Sequence, residues 1–332
     1  MRSEARVGSR SGRIRARGTS VDRMKNVPFG SASAPAVIAG MMRIDDKDDA
    51  QVRELYDAAR ASGIDFFDHA DIYGGTMHHC EARFADALQL GSAERGEIVL
   101  QTKCGIDPAQ QAFDFSYEHI VRQAEGSLRA LRTDYLDVLL LHRPDALVEP
   151  EEVARAFDEL ESAGKVRAFG VSNHTPRQID LLRTAVTQPL VANQLQLSIT
   201  HAPIIAQPIA ANMLAEDQSI VRDGGGIVEY CRINGITIQA WSPFQGGFFT
   251  GVFLGNPDYA ELNAVIDRLA ASYGVEPIAI ATAWITRHPA QMQVVLGTTT
   301  PSRVRDAAAG ADIELTRAEW YELFRAGGHL LP

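Results

Sequence analysis

Short apolar runs alternate with amphipathic stretches from residue 36 to about residue 310. Eight runs read as strands: Val37–Met41, Ile64–Phe67, Ile98–Thr102, Leu136–Leu141, Ala168–Val171, Val191–Gln194, Thr237–Trp241 and Gln293–Leu296. They are mostly non-alternating, as strands covered on both faces should be. Between them apolar residues recur at helical spacing. Val52, Leu55, Tyr56 and Ala59 share one face of Asp49–Ser62, with Gly63 as the stop. Cys80–Leu90 ends at Gly91, and Ser116 is placed to cap Tyr117–Leu131. Pro150 opens a helix to Ser162 that Gly164 closes. Thr175-Pro176 opens the next, with Ile179, Leu181 and Leu182 expected inside. Glu229–Asn234, Asn263–Ser272, Pro277–Arg287, Ser302–Ala309 and Arg317–Arg325, the last capped by Thr316, complete the series.

Eight strands in alternation with helices predict a parallel (β/α)8 barrel, the TIM-barrel fold, in one domain. A doubly wound sheet is the rival. It calls for a glycine-rich phosphate turn after its first strand, where this chain has Met41-Met42-Arg43. Residues 1–23 stand apart, with seven arginines, four serines and three glycines, and Glu4 and Asp22 as the acids. They are expected to be a disordered basic tail on a barrel domain spanning 24–332. A transit peptide and a nucleic-acid arm are weaker readings of the same segment. Ala206–Gly226 is the most irregular long connection, a candidate lid.

The chain has 332 residues, 45% of them hydrophobic and 22% charged, enough for a sizeable core. A net charge of −10 argues against a nucleic-acid or anionic-membrane surface. No apolar stretch approaches the roughly 20 residues of a membrane helix. Cys80, Cys104 and Cys231 are odd in number and widely spaced. Reduced thiols and a cytoplasmic location are therefore expected. No oligomerisation motif is visible, so a monomer is the default.

Candidate chemistry gathers at the ends of the runs. Asp68 and Tyr73 follow the second, Lys103 the third and His142 the fourth. In neighbouring parallel strands these side chains meet at one end of the sheet. A tyrosine beside a lysine and a carboxylate can donate a proton near neutral pH. A metallohydrolase set built on Asp68, His69, Asp71 and His142, with His78 and His79 nearby, competes with that reading. Lys103 would place a cation in such a pocket, so no metal is expected.

Four motifs in order resemble the aldo-keto reductase family: Gly63-Ile64-Asp65-Phe66-Phe67-Asp68-His69-Ala70-Asp71-Ile72-Tyr73-Gly74, then Lys103, then Leu139-Leu140-Leu141-His142-Arg143-Pro144-Asp145, then Gly164-Lys165-Val166-Arg167-Ala168-Phe169-Gly170-Val171-Ser172-Asn173. The likeness covers residues from about 36 to 326. Its His-Ala-Asp-Ile-Tyr-Gly-Gly and His-Arg-Pro-Asp variants look most like the bacterial YdhF-like oxidoreductase subgroup. The resemblance implies NADPH-dependent reduction of an aldehyde or ketone, with NADPH preferred over NADH. It implies Tyr73 as proton donor, assisted by Lys103 and Asp68, and His142 polarising the carbonyl. Ser172, Asn173 and Gln194 would grip the nicotinamide carboxamide, and Trp241 would stack on its ring. Ser242, Phe244, Gly246 and Gly247 would line the pyrophosphate. Gly297, Thr298, Thr299 and Arg303 would face the adenosine phosphate at a helix start. Many relatives carry a lysine where this chain has Gly297, and Asp306-Ala307 lacks their adenine-contacting polar pair.

Met42, Tyr73, His142 and Phe248 would line the substrate pocket, with Phe244 and Phe249 adding to an apolar wall. That suggests an apolar or aromatic carbonyl compound. Arg143 and Asp145 are expected to form a local salt bridge, with a substrate carboxylate as the other use for Arg143. Only Arg325–Pro332 follow Phe324, so an open pocket is expected unless Ala206–Gly226 covers it. Two further readings remain open at the level of sequence. One is an NADPH-binding sensor or accessory protein on the same scaffold, with little turnover. The other is a barrel enzyme that forms a Schiff base through Lys103, which requires a depressed lysine pKa.

Overall fold

A computed structural model describes residues 24–209, 226–246 and 251–329. The tail 1–23 and most of the candidate lid 206–226 lie outside these residues, as do Gly247, Phe248 and Phe249. All eight predicted strands are present, and they close a parallel barrel in sequence order. They span Val37–Gly40, Phe66–Asp68, Val99–Cys104, Val138–Leu141, Phe169–Ser172, Leu190–Gln196, Thr237–Trp241 and Gln293–Leu296. The first strand pairs with the second through Gly40 and Asp68, and with the eighth through Ala39 and Leu296. Gly40 is needed there, because a Cβ would come within 2.5 Å of the Leu296 carbonyl oxygen.

The helices enclose the barrel because each carries one apolar face. Asp48 caps Asp49–Ala61 in a capping box with Gln51, and Val52, Leu55, Tyr56, Ala58 and Ala59 face inward. Ser116 accepts the His119 N–H at the start of Tyr117–Leu131. Thr175 with Gln178 and Thr316 with Glu319 form two more capping boxes. Pro277–Thr286 differs, being apolar nearly all round. It is sandwiched between the eighth strand, Ala260–Tyr273 and Pro301–Ala309. No helix among the described residues is long and apolar enough to cross a membrane.

Three features depart from the sequence reading. Leu181 is 45% exposed rather than buried. In the short helix Pro176–Leu182, Ile179 and Leu182 sit three apart on the inner face, and Leu181 is turned about 100° away from Leu182. An antiparallel hairpin, Asn26–Phe29 with Ala32–Pro35, stands ahead of the first strand. It closes the barrel floor: Phe29 meets Phe66 edge-on at 5.4 Å, and Thr237 Oγ1 donates to the Pro28 carbonyl at 2.8 Å. A second small hairpin, Ile106–Asp107 with Ala112–Phe113, follows the third strand.

The floor is tied outside the barrel by Arg95. Its guanidinium donates to Thr133 Oγ1, to the Ile98 and Tyr135 carbonyls, and to Asp137 at 2.8 Å. It also lies over the Tyr135 ring, as does Arg167. Removing one partner of such a buried pair strands the other charge. Arg95→Ala should therefore cost about 3 kcal/mol in urea unfolding. Because the clamp is at the opposite end from the strand termini that bear the candidate site residues, kcat is expected not to move.

Candidate functional site

A set of buried glutamines crosses the barrel interior. Gln101, Gln194, Gln239 and Gln293 join side chain to side chain across it. Gln101 Nε2 donates to Gln239 Oε1 at 2.8 Å, Gln194 Nε2 to Gln239 at 3.2 Å, and Gln239 Nε2 to Gln293 at 3.0 Å. This layer presents two amides to one oxygen of Asp68, from Gln101 at 2.6 Å and Gln194 at 3.1 Å. The other oxygen accepts from Lys103 Nζ at 2.8 Å. Lys103 Nζ also donates to the His69 carbonyl at 2.7 Å and to the Tyr73 hydroxyl at 3.0 Å. All three ammonium donors are thus directed. Lys103 is wholly buried, Asp68 nearly so, and Tyr73 partly exposed at the mouth.

The positions follow from the strand ends. Asp68 is the last residue of the second strand, and Lys103 lies near the end of the third, paired with Leu140 of the fourth. The turn after Asp68 brings Tyr73 back over Lys103, whose ammonium is 4.8 Å from the ring centre. His142 follows the fourth strand, its ring edge-on to Tyr73 at 6.1 Å between centroids. Among the described residues its Nδ1 is buried without a hydrogen-bond partner.

The electrostatics separate acid from base. Burial works against the Lys103 ammonium, but Asp68 and Tyr73 outweigh it and hold the pKa above its ordinary value. That removes the neutral amine a Schiff base requires. Burial also raises the Tyr73 phenol, with Lys103 pulling the other way and Asp68 adding to the rise. Tyr73 is therefore a protonated donor at neutral pH. Burial, Lys103 and Arg143 keep the His142 pKa well below its ordinary value, so the ring is neutral. Asp71, buried close by, is pushed up to about 8 by burial and by Glu81.

The carboxamide candidates are already engaged with one another. Ser172 Oγ donates to the Gln194 carbonyl at 2.9 Å and accepts from Asn173 Nδ2 at 2.8 Å. Asn173 Oδ1 accepts the Trp241 indole N–H at 3.1 Å. Asn173 and Ser242 both hold φ near the left-handed region, at 61° and 51°, directly after their strands. Such strain is kept where the backbone is over-determined, often at sites of function. Phe244 packs toward the core, and the Gly246 N–H donates to the Gly251 carbonyl at 2.9 Å. Met42 is half-buried beside the mouth, and its carbonyl lies 3.5 Å from Cys80 Sγ. Gly297, Thr298, Thr299 and Arg303 line the exposed junction between the eighth strand and Pro301–Ala309. Among the described residues, no group of three or more His, Cys, Asp or Glu is placed to hold a metal ion.

The sequence profile of the Aldo/keto reductase family matches residues 36–326. The chain belongs to the aldo/keto reductase family. It is an NADP(H)-dependent oxidoreductase. A 6-dehydroglucose reductase of Agrobacterium fabrum is 36% identical over 300 residues, covering 87% of this chain and 92% of that protein. Oxidoreductase YdhF of Escherichia coli is 34% identical, over 81% of this chain and 85% of its own length. The crystal structure of the thermostable aldo-keto reductase Tm1743 superposes with a TM-score of 0.71 at 23% identity, covering 91% of this chain and all of that one. In this aldo/keto reductase the glutamine layer and the setting of Arg143 escaped the sequence reading. The one available signal was a glutamine in four of the eight apolar runs, as in Leu100-Gln101-Thr102 and Ile238-Gln239-Ala240. The expected Arg143–Asp145 bridge does not form: Asp145 accepts the Phe115 and Leu147 N–H groups instead.

Proposed function

We propose that the protein reduces an aldehyde or ketone to an alcohol by direct hydride transfer from NADPH, with Tyr73 supplying the proton. The observation that carries this reading is the single ammonium of Lys103, bonded at once to Asp68 and to the Tyr73 hydroxyl. The bound cofactor supplies the hydride to the carbonyl carbon. Tyr73 gives its proton to the oxygen, so the C=O bond becomes a CH–OH and NADP+ is left. Lys103 lowers the cost of the phenolate formed in that instant, and Asp68 keeps Lys103 charged. Neutral His142 is suited to donate a hydrogen bond to the carbonyl oxygen rather than to compete for the proton.

The residues present fit a nicotinamide dinucleotide. Asn173, partly exposed between Ser172 and Trp241, offers both amide donor and acceptor once Trp241 yields its bond, and Gln194 lies behind it. Trp241 presents a partly exposed aromatic face at a strand end. Ser242, Phe244, Gly246 and Gly247 would take the pyrophosphate. The helix Pro301–Ala309 has no side-chain cap, so its first N–H groups are open to a phosphate. Gly297, Thr298 and Thr299 would admit it. Arg303, exposed on the first turn, is the basis for preferring NADPH to NADH. Arg303→Ala should lower the ratio of NADPH to NADH affinity about tenfold, since a charged hydrogen bond is worth about that factor. Titration of each cofactor by fluorescence reads it.

A YdhF-like subgroup assignment, a cytoplasmic setting with three buried free thiols, and a monomeric state accompany this reading. The test is NADPH titration followed by consumption of 4-nitrobenzaldehyde in the same cuvette. Binding with turnover supports the reductase. Binding without turnover favours a sensor or accessory role, and no binding of either cofactor sinks the proposal.

A further inference from the structure

Arg143 is the residue directly after His142, half-buried at the barrel mouth. Its guanidinium carbon lies 5.8 Å from the centre of the Trp241 ring. Its charge acts on His142, and Tyr73 acts on it, so it stands among the groups that would surround a reacting carbonyl. Yet among the described residues none of its donors makes a hydrogen bond or an ion pair. Among the described residues every other partly or fully buried arginine is engaged. Arg53, Arg83 and Arg287 donate to backbone carbonyls, Arg60 to Glu97, Arg183 to Asn234, and Arg95 to four acceptors.

A guanidinium withdrawn from water without a counter-charge is costly, and burial correspondingly lowers its pKa. The nearest acid in sequence does not relieve it. Asp145 spends one oxygen on the Phe115 N–H at 3.0 Å and the other on the Leu147 N–H at 2.8 Å. It lines a separate cavity of about 290 Å³ with Asp107, Asp114, Glu149 and Glu152. The planar fork of five N–H donors on Arg143, beside the Trp241 ring, has no acceptor among the described residues, and its natural complement is a bidentate carboxylate.

We infer that Arg143 anchors a carboxylate on the substrate, so that the protein's own substrates are carbonyl compounds that carry a carboxylate within reach of the reacting carbon. The inference rests on the reductase reading and adds the substrate class to it. Arg143 determines specificity here and takes no part in moving the hydride or the proton. A carboxylate held this way also brings its charge to a site where the Lys103 ammonium is already occupied by Asp68 and Tyr73.

The experiment compares 4-carboxybenzaldehyde with 4-nitrobenzaldehyde in the wild type, Arg143→Met and Arg143→Lys, each with NADPH. In parallel, 4-(hydroxymethyl)benzoate is titrated calorimetrically into the NADP+-loaded proteins. The expected result is a fall of at least tenfold in the charged-to-neutral ratio of kcat/KM in Arg143→Met, partial recovery in Arg143→Lys, and a matching loss of benzoate binding. High salt should narrow the wild-type preference. An unchanged ratio, or an equal loss on both aldehydes with benzoate binding intact, overturns the assignment. Should the wild type reduce neither aldehyde, the reductase reading fails by itself. The benzoate titration then decides Arg143 alone: weaker binding in Arg143→Met upholds the anchor, and equal binding rejects it.

Discussion

Tyr73→Phe should lower kcat for carbonyl reduction about a thousandfold, the middle of the range for losing a positioned general acid. The substitution removes one oxygen and keeps the ring that lies over Lys103 and edge-on to His142. NADPH affinity is expected to stay within about twofold, because none of the cofactor candidates among the described residues bonds the Tyr73 hydroxyl, so the loss falls on kcat. The pH profile adds a second reading. Burial holds the Tyr73 phenol above its ordinary value, against the pull of Lys103. Wild-type reduction should therefore run level through neutral pH and decline only where the phenol ionises, above the ~10 of a free tyrosine. Asp68, Asp71, His142 and Arg143 also surround the pair, and Asp71, its pKa pushed up to about 8, is charged at alkaline pH, which resists phenolate formation further. Alcohol oxidation needs the phenolate and should rise toward alkaline pH. Steady-state rates in both directions, in wild type and Tyr73→Phe, check all of this. A Tyr73→Phe enzyme within tenfold of wild type would remove Tyr73 from the proton transfer.

Asp68→Asn should be the most damaging conservative change to stability, at about 3–5 kcal/mol near neutral pH. Asparagine keeps the shape and two hydrogen bonds but leaves the buried Lys103 ammonium without its counter-charge. The sign of the pH dependence should reverse. In the wild type the folded pKa of Lys103 is raised, so its contribution is fully present below the unfolded value and is lost as pH climbs through the folded one. Without Asp68 the burial penalty dominates and the folded pKa drops below the unfolded value. The charged form then destabilises the fold at neutral pH, and the variant should gain stability as pH rises. Urea midpoints of both proteins between neutral and alkaline pH test it. Parallel curves would show that Asp68 does not govern the charge on Lys103.

The barrel was legible because its strands are buried on both faces, and continuous apolar runs such as Val138–Leu141 carry that signature without help from context. Helix starts were legible where a side chain caps locally, as at Ser116, Thr175 and Thr316. The floor hairpin was not. Asn26–Phe29 and Ala32–Pro35 hold two prolines and small residues of weak strand preference, and they are ordered by contact with Phe66 and Thr237, remote in sequence. Leu181 failed because a seven-residue helix has too few residues to define its inner face by period. Asp68, Tyr73, Lys103 and His142 could be read as a group because each ends or follows a predicted strand. The glutamines that bear on Asp68 come from four different strands, and only closure of the barrel brings them together. Arg143 was visible as a residue, but its lack of a partner is a fact about what its neighbours do, notably the two backbone bonds that occupy Asp145.

The central claim is that this barrel moves a hydride from the nicotinamide directly to a carbonyl carbon while Tyr73 moves the proton. The measurement is a single-turnover reduction of an aromatic aldehyde with NADPH carrying deuterium at its hydride position, with the product read by NMR. The account predicts deuterium on the carbinol carbon, one per NADPH consumed, with the rate collapsing in Tyr73→Phe. Deuterium released to water, or an alcohol formed without label, would contradict it.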